Sequence, residues 1–135
     1  MPVFESAENL YRCLGGFFEL MSNHPQTKGL LQTTELTIKF VFTAPEASIT
    51  LVARGGEQSV YCGDCGEPSD VQLSMSGDVA HRFWMGKVNV MSAILTRQIV
   101  VDGPLDKIME LKPLIKAGVE IYPRHFKEYD SPVSS

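Results

Sequence analysis

The sequence predicts an α+β fold: one five-stranded, mostly antiparallel sheet with helices packed on one face. Three observations lead there. The chain has 135 residues, the size of one ordinary domain, and at 44% hydrophobic it has material for a real core. A central block alternates apolar and polar residues with period two, and hairpin-length connections join its first strands. Segments with helical period lie before and after that block, which suits a layer of helices against an antiparallel sheet.

The elements follow in order. Residues 6–22 read as a helix, with Ser6 as N-cap, Glu8 in the first turn, and Leu10, Leu14, Phe17 and Met21 on one face. Gly15 and Gly16 inside that face mark a bend or a close approach of something to the backbone. Pro25 and Gly29 break the helix. In "TTELTIKFVFT", Leu36, Ile38, Phe40 and Phe42 share one side of a strand. "SITLVAR" repeats the pattern with Ile49, Leu51 and Ala53, and Gly55 and Gly56 supply a hairpin turn into a third strand, "QSVYCG". Val71, Leu73 and Met75 form the inward side of a fourth. Short connections predict an antiparallel meander.

The period then changes. Asp78 caps a helix with Val79 and Phe83 on its apolar face, and Asn89 caps a second short helix. Ile99, Val100 and Val101 are contiguous, as expected of a strand buried on both faces. A last helix starts at Pro104, kinks or restarts at Pro113 and ends at Gly118. The organisation predicted is a single domain over 1–135: the N-terminal helix 6–22, sheet and helices over 34–118, and a polar tail over 123–135.

Composition narrows the function. No window offers the roughly 18 uninterrupted apolar residues of a membrane span, and the N-terminus lacks a basic segment followed by an apolar run. The expectation is a cytoplasmic protein without stable membrane insertion. A net charge of −4 argues against nucleic acid as partner, because phosphate neutralisation needs clustered Lys and Arg. The charge is uneven: residues 1–78 carry −6 and residues 79–135 carry +2. A mildly basic second half can attract an anionic headgroup, although mixed charge is usually a solvated surface.

Cys62 and Cys65 form a Cys-x-x-Cys pair, a spacing that serves zinc or thiol–disulfide chemistry. The chain's third cysteine is Cys13, and His24, His81 and His125 are scattered, so no second close ligand pair exists. No helix follows to lower a thiol pKa, as redox motifs require; a loop and a strand follow. The plainer reading is a Gly-rich turn. No Gly-x-Ser-x-Gly or Walker-type loop is present either, so neither catalysis nor a cofactor is expected.

Several pieces in the second half resemble the sterol carrier protein-2 family of nonspecific lipid-transfer proteins. They are Asp70, Val71, Leu73 and Met75; Met85, Gly86 and Lys87; Asn89 and Ala93; and Ile99, Val101 and Gly103. Their order and spacing carry the resemblance over about residues 34–118. It implies a sheet-and-helix layer fold around an apolar tunnel for fatty acyl chains or sterols. The chain departs from the family in two places. It ends "DSPVSS" where many eukaryotic members carry a Ser-Lys-Leu-type address, and Thr96 and Arg97 precede the fifth strand where a Gly-Lys pattern is common.

With the resemblance, the wall of the tunnel is expected to include Phe40, Leu73, Met75, Phe83, Trp84, Met85, Met91, Ile94, Leu95, Ile108, Met109 and Leu111. Met fills irregular space and tolerates varied ligands, although such runs more often serve plain packing. Lys87 and Arg97, with His81 and Arg82 nearby in sequence, are candidates to hold an anionic headgroup at the mouth. The function expected is noncatalytic carriage of a lipid or fatty acyl chain, with a homodimer left open. The alternatives are a protein–protein assembly domain with a lost or reduced pocket, and a metal or thiol-redox protein using Cys62 and Cys65.

Overall fold

The computed structural model describes residues 3–63, 66 and 68–129. Its strands are β1 (Leu36–Thr43), β2 (Ala47–Arg54), β3 (Glu57–Cys62), β4 (Val71–Ser76) and β5 (Val100–Asp102). They form one sheet in the order β3-β2-β1-β4-β5. β1–β2, β2–β3 and β4–β5 pair antiparallel. The turn at Gly55 and Gly56 is the expected hairpin; both have positive φ, +63° and +80°, which glycine adopts without steric cost.

The expected meander stops at β3. β4 does not continue beside it but crosses back to lie parallel to β1, with Ile38 opposite Val71 and Phe42 opposite Met75. Asp70 fixes the landing point. Its N–H donates to the Thr37 carbonyl at 2.8 Å, and its carboxylate accepts the Thr37 N–H at 2.8 Å and a bond from Arg54. The sheet remains mostly antiparallel, but β1 becomes its centre. β5 is likewise not buried on both faces. It is a short edge strand, and Val100 is 44% exposed.

Alternation sends Leu36, Ile38, Phe40 and Phe42 of β1, Ile49, Leu51 and Ala53 of β2, and Val71, Leu73 and Met75 of β4 to one face. All are buried. The helices cover that face: α1 (Ala7–Leu10), a π-helical turn (Tyr11–Gly15), α2 (Gly16–Asn23), α3 (Pro25–Thr33), α4 (Gly77–Trp84), α5 (Val90–Leu95), α6 (Leu105–Met109) and α7 (Lys112–Tyr129).

The first helical run starts as expected. Ser6 caps α1 by accepting the Asn9 N–H at 3.1 Å. The Gly pair is a point of close approach: a Cβ on Gly15 would sit 2.8 Å from Cys62 Sγ, and one on Gly16 would sit 3.6 Å from His125 Cε1. The break at Pro25 is short. Proline suits the first helical position, His24 Nδ1 accepts the Gln26 N–H at 3.1 Å, and a further helix, α3, runs on through Gly29. Leu31 ties α3 to the core.

Further corrections fall in the second half. Ser76, not Asp78, caps α4 by accepting the Val79 N–H at 3.1 Å, while Asp78 accepts the Val3 N–H at 2.8 Å. Asn89 caps α5 as expected, at 3.0 Å from the Ser92 nitrogen. The final helical segment restarts near Pro113, as α6 gives way to α7. It does not end at Gly118, and positions 123–129 are not a polar tail. α7 continues through Pro123 to Tyr129, because Ile121 and Tyr122 are buried and Phe126 and Tyr129 pack on the core. Positions 130–135 lie outside the described residues.

Gly118 is a contact point rather than a stop. A Cβ there would meet Trp84 Cζ3 at 2.6 Å, and that indole is held by Phe17 and Phe83 at ring distances of 5.0 and 4.9 Å. Replacing Gly118 by Val therefore overpacks the α4–α7 contact. Urea unfolding should show a loss of about 2 kcal/mol, since overpacking typically costs roughly 1–3 kcal/mol.

Candidate functional site

Between the inner face of the sheet and the helices lies a cavity of about 80 Å3. Each layer supplies part of its wall. β1, β2 and β4 give Ile38, Phe40, Leu51, Leu73 and Met75; α2 gives Phe18 and Met21; α4 gives Phe83 and Trp84. The outer side is made by Val90 and Ile94 of α5, Ile99 and Val101, Ile108 of α6, and Leu111, Leu114 and Ile115. Every lining residue is apolar or aromatic, so the space offers dispersion contacts without demanding hydrogen bonds.

Why the space stays unfilled follows from the cover. Phe18 stacks on Phe40 at 4.8 Å, and Trp84 meets Phe17, Phe18 and Phe83 edge-on, so rings close one end of the layer. At the other end the cover is α5 and α6, which are only six and five residues long. They pack sparsely on other elements. Their ends are tied by local bonds: Gln98 and Ile99 donate to the Ala93 carbonyl, and Leu111 to that of Ile108.

Of the wall residues expected from sequence, Phe40, Leu73, Met75, Phe83, Trp84, Ile94, Ile108 and Leu111 line this cavity. Met85, Met91, Leu95 and Met109 do not. Met85 is half-buried against the core, while Met91 and Leu95 are 66% and 79% exposed and Met109 is 49% exposed. The reason is the turn of α5. Val90 and Ile94 occupy the cavity side, so Met91 and Leu95, about 100° further round, face outward. The sequence reading missed Phe18, Met21, Ile38, Leu51, Val90, Ile99, Val101, Leu114 and Ile115. Alternation placed Ile38 and Leu51 on the right face of the sheet, and that signal was available.

The candidate headgroup cations are both exposed. Lys87 borders a shallow groove with Arg82, Asn89, Ser92 and Thr96, beside α5 rather than inside the cavity. Arg97 sits just after α5 in a left-handed conformation, φ +62°.

Of the thiol pair, Cys65 lies outside the described residues. Cys62 is exposed as a residue, but desolvation of its sulfur beside Gly15, and then Glu19, push the thiol pKa up, opposite to the direction of an activated thiol. Among the described residues, no cluster of three or more His, Cys, Asp or Glu side chains could hold a metal. A separate polar relay lies in the helix layer. The Tyr122 hydroxyl is 3.0 Å from His81 Nδ1 and 3.6 Å from Cys13 Sγ, and His125 Nε2 is 2.8 Å from the Cys13 carbonyl oxygen. Cys13 and Tyr122 are fully buried.

Comparison with known proteins gives a consistent result. The model of the SCP-2 sterol transfer family matches residues 17–116. No curated protein sequence matches. Among solved structures, the sterol carrier protein domain 2 of Helicoverpa armigera superposes with a TM-score of 0.70 at 22% identity, covering 83% of this chain and 89% of that one. Sterol carrier protein 2 from Yarrowia lipolytica, in its apo form, gives 0.62 at 19% identity, covering 80% and 90%. Sterol carrier protein-2 from Aedes aegypti, solved in complex with the C16 fatty acid palmitate, gives 0.55 at 18% identity, covering 81% and 93%. At these identities the likeness is one of fold.

The buried relay yields a pH prediction. Burial, chiefly, and then Cys13 and Tyr129 push the Tyr122 pKa well above its usual value. The folded state therefore keeps a proton that the unfolded chain releases near pH 10. The associated stability is complete below about pH 10 and falls as pH rises above it. Tyr122→Phe should cost about 1 kcal/mol at pH 7 by losing the His81 bond, and its stability should decline less steeply than the wild type between pH 9 and 11. Parallel curves in urea titrations would contradict this.

Proposed function

The chain belongs to the SCP-2 sterol transfer family, and from that premise we propose that it binds and carries a lipid or fatty acyl chain without catalysis of its own. Family membership supports lipid binding in general terms, and the palmitate complex of the Aedes aegypti protein of like fold supports a fatty acyl cargo. The observation that carries the reading is the apolar cavity between the sheet and the α5–α6 cover.

The energetics favour such a cargo. Each buried methylene contributes roughly 0.8 kcal/mol, so a chain of about 14 methylenes gains on the order of 10 kcal/mol before association costs. Volume sets the mechanism. The cavity's 80 Å3 is smaller than the roughly 150 Å3 that admits a benzene. A full acyl chain therefore enters by moving part of the cover outward. α5 and α6 are the short, sparsely packed parts of it, and they part from the sheet while the ring cluster of Phe17, Phe18, Phe83 and Trp84 stays in place. The cargo's polar end would stay near the cavity mouth, with Lys87 and Arg97 as candidate partners for a carboxylate or phosphate. The noncatalytic assignment rests on the wall chemistry, which presents carbon and sulfur rather than a nucleophile and base.

The small volume also favours a second reading, an assembly domain with a reduced pocket. Native mass spectrometry before and after organic extraction separates the two. The carrier reading expects a co-purifying lipid that extraction removes; protein without lipid, and without uptake of added palmitate, supports the assembly domain.

A fluorescent fatty acid displaced by palmitate tests the cavity itself. Met75→Trp, which fills the space from the sheet side, should weaken binding at least about tenfold, the loss expected when two or more methylenes no longer fit. Circular dichroism should show the fold intact. Unchanged affinity would place the cargo elsewhere.

A further inference from the structure

The face that α7 turns toward the cavity stops short. Leu111, Leu114 and Ile115 line the cavity from this side. Residue 118 lies one helical turn further on the same face, where the wall would continue. Gly118 is buried there but does not line the cavity. The indole of Trp84 stands in its place: a Cβ on Gly118 would meet Trp84 Cζ3 at 2.6 Å and Cε3 at 3.2 Å. Trp84 itself lines the cavity and is buried. The indole is therefore a partition, with the cavity on one side and the notch at Gly118 on the other.

The partition has firm backing. Phe17 packs on the indole at 5.0 Å, does not line the cavity, and meets Tyr122 at 5.0 Å in turn. Phe18 and Phe83 meet the indole edge-on at 6.0 and 4.9 Å. Phe17 Cζ would lie 3.3 Å from a Cβ on Gly118, so the notch has no spare room on that side either. A ring packed this way yields less than α5 and α6, which pack sparsely on other elements. Every lining residue at this end is apolar or aromatic, so the wall disfavours a carboxylate and accepts a methyl end.

We propose that Trp84, held in the notch at Gly118, is the stop that sets the length of the bound acyl chain. The methyl end of the cargo abuts the indole, while the carboxylate stays on the α5–α6 side. Trp84 is the specificity-determining residue, and Gly118 positions it. The inference rests on the carrier reading and deepens it, by assigning the cargo a direction and a preferred length. A side chain at 118 drives the indole into the cavity, since Phe17 blocks the other way, and so shortens the accepted chain. A smaller ring at 84 lengthens it.

Trp84 is the chain's one tryptophan. Its fluorescence therefore reports the deep end of the cavity in the wild type, and decides the direction of the cargo even if a variant does not fold. Stearate with a nitroxide near its methyl end should quench it more strongly than stearate with the nitroxide near its carboxylate. Length selection is read by displacing a fluorescent fatty acid with laurate, palmitate and stearate. Trp84→Phe should raise the affinity for stearate relative to laurate at least about fourfold, the gain from one further buried methylene. Gly118→Ala should lower that ratio at least about fourfold. Alanine suits a helix interior better than glycine, so the backbone of α7 accepts it. The ratio separates a stop from a merely structural role, which would change the affinity for all three chains alike. The same ratio in the wild type and both variants, or stronger quenching from the carboxylate side, overturns the proposal. The two ideas fail differently: no displacement and no quenching by any of these acids sinks the carrier reading and the stop with it, whereas uptake with an unshifted ratio sinks the stop alone.

Discussion

The constraint behind this molecule is a one-faced sheet with too little rigid cover. Alternation places the large apolar side chains of β1, β2 and β4 on one side, and each must leave water. Over the α1–α2 and α4–α7 end the cover is close-packed aromatic rings, with Phe17 touching Phe18, Trp84 and Tyr122. Over the other end it is two short helices, α5 and α6. They shield Leu73 and Met75 without filling the space above them. The unfilled volume follows from that difference between the two ends.

Topology locates the difference. Because β4 returns parallel to β1, β1 is the centre of the sheet and β5 with its flanking short helices is pushed to one edge, while the first helices contact β2 and β3 on the other side of β1. Asp70 matters more than its partial exposure suggests. By clamping both backbone groups of Thr37, it sets the register that brings Leu73 opposite Phe40 and Met75 opposite Phe42. The glycines act in the same direction. Gly118 lets α7 approach the Trp84 ring, and Gly15 lets the first helical run approach Cys62, so the rigid end closes tightly while the other stays loose.

Much of this was legible in the sequence, for identifiable reasons. Period-two alternation named the inward residues of β1, β2 and β4, and local chemistry named the Ser6 and Asn89 caps and the Gly55–Gly56 turn. Signals that depend on distant partners were not legible. Hairpin spacing describes neighbours in sequence, so it could not report that β4 pairs with β1. Pro25 and Gly118 read as stops because their local cost is real, and packing of Leu31, Ile121 and Tyr122 overrides it. Within the site, the Met and aromatic run from 83 to 95 was read as one wall. A short helix has more than one face, and only its docking angle shows that Val90 and Ile94 point inward while Met91 and Leu95 point out.

The measurement that bears most directly on this account is isotope-filtered nuclear Overhauser spectroscopy with carbon-13-labelled palmitate. The account predicts cross-peaks from the chain methylenes to the side chains of Leu73, Met75, Ile94 and Ile108, which surround the cavity from the sheet and from α5 and α6. Cross-peaks confined to exposed side chains such as Met109, or none at saturating palmitate, would contradict it.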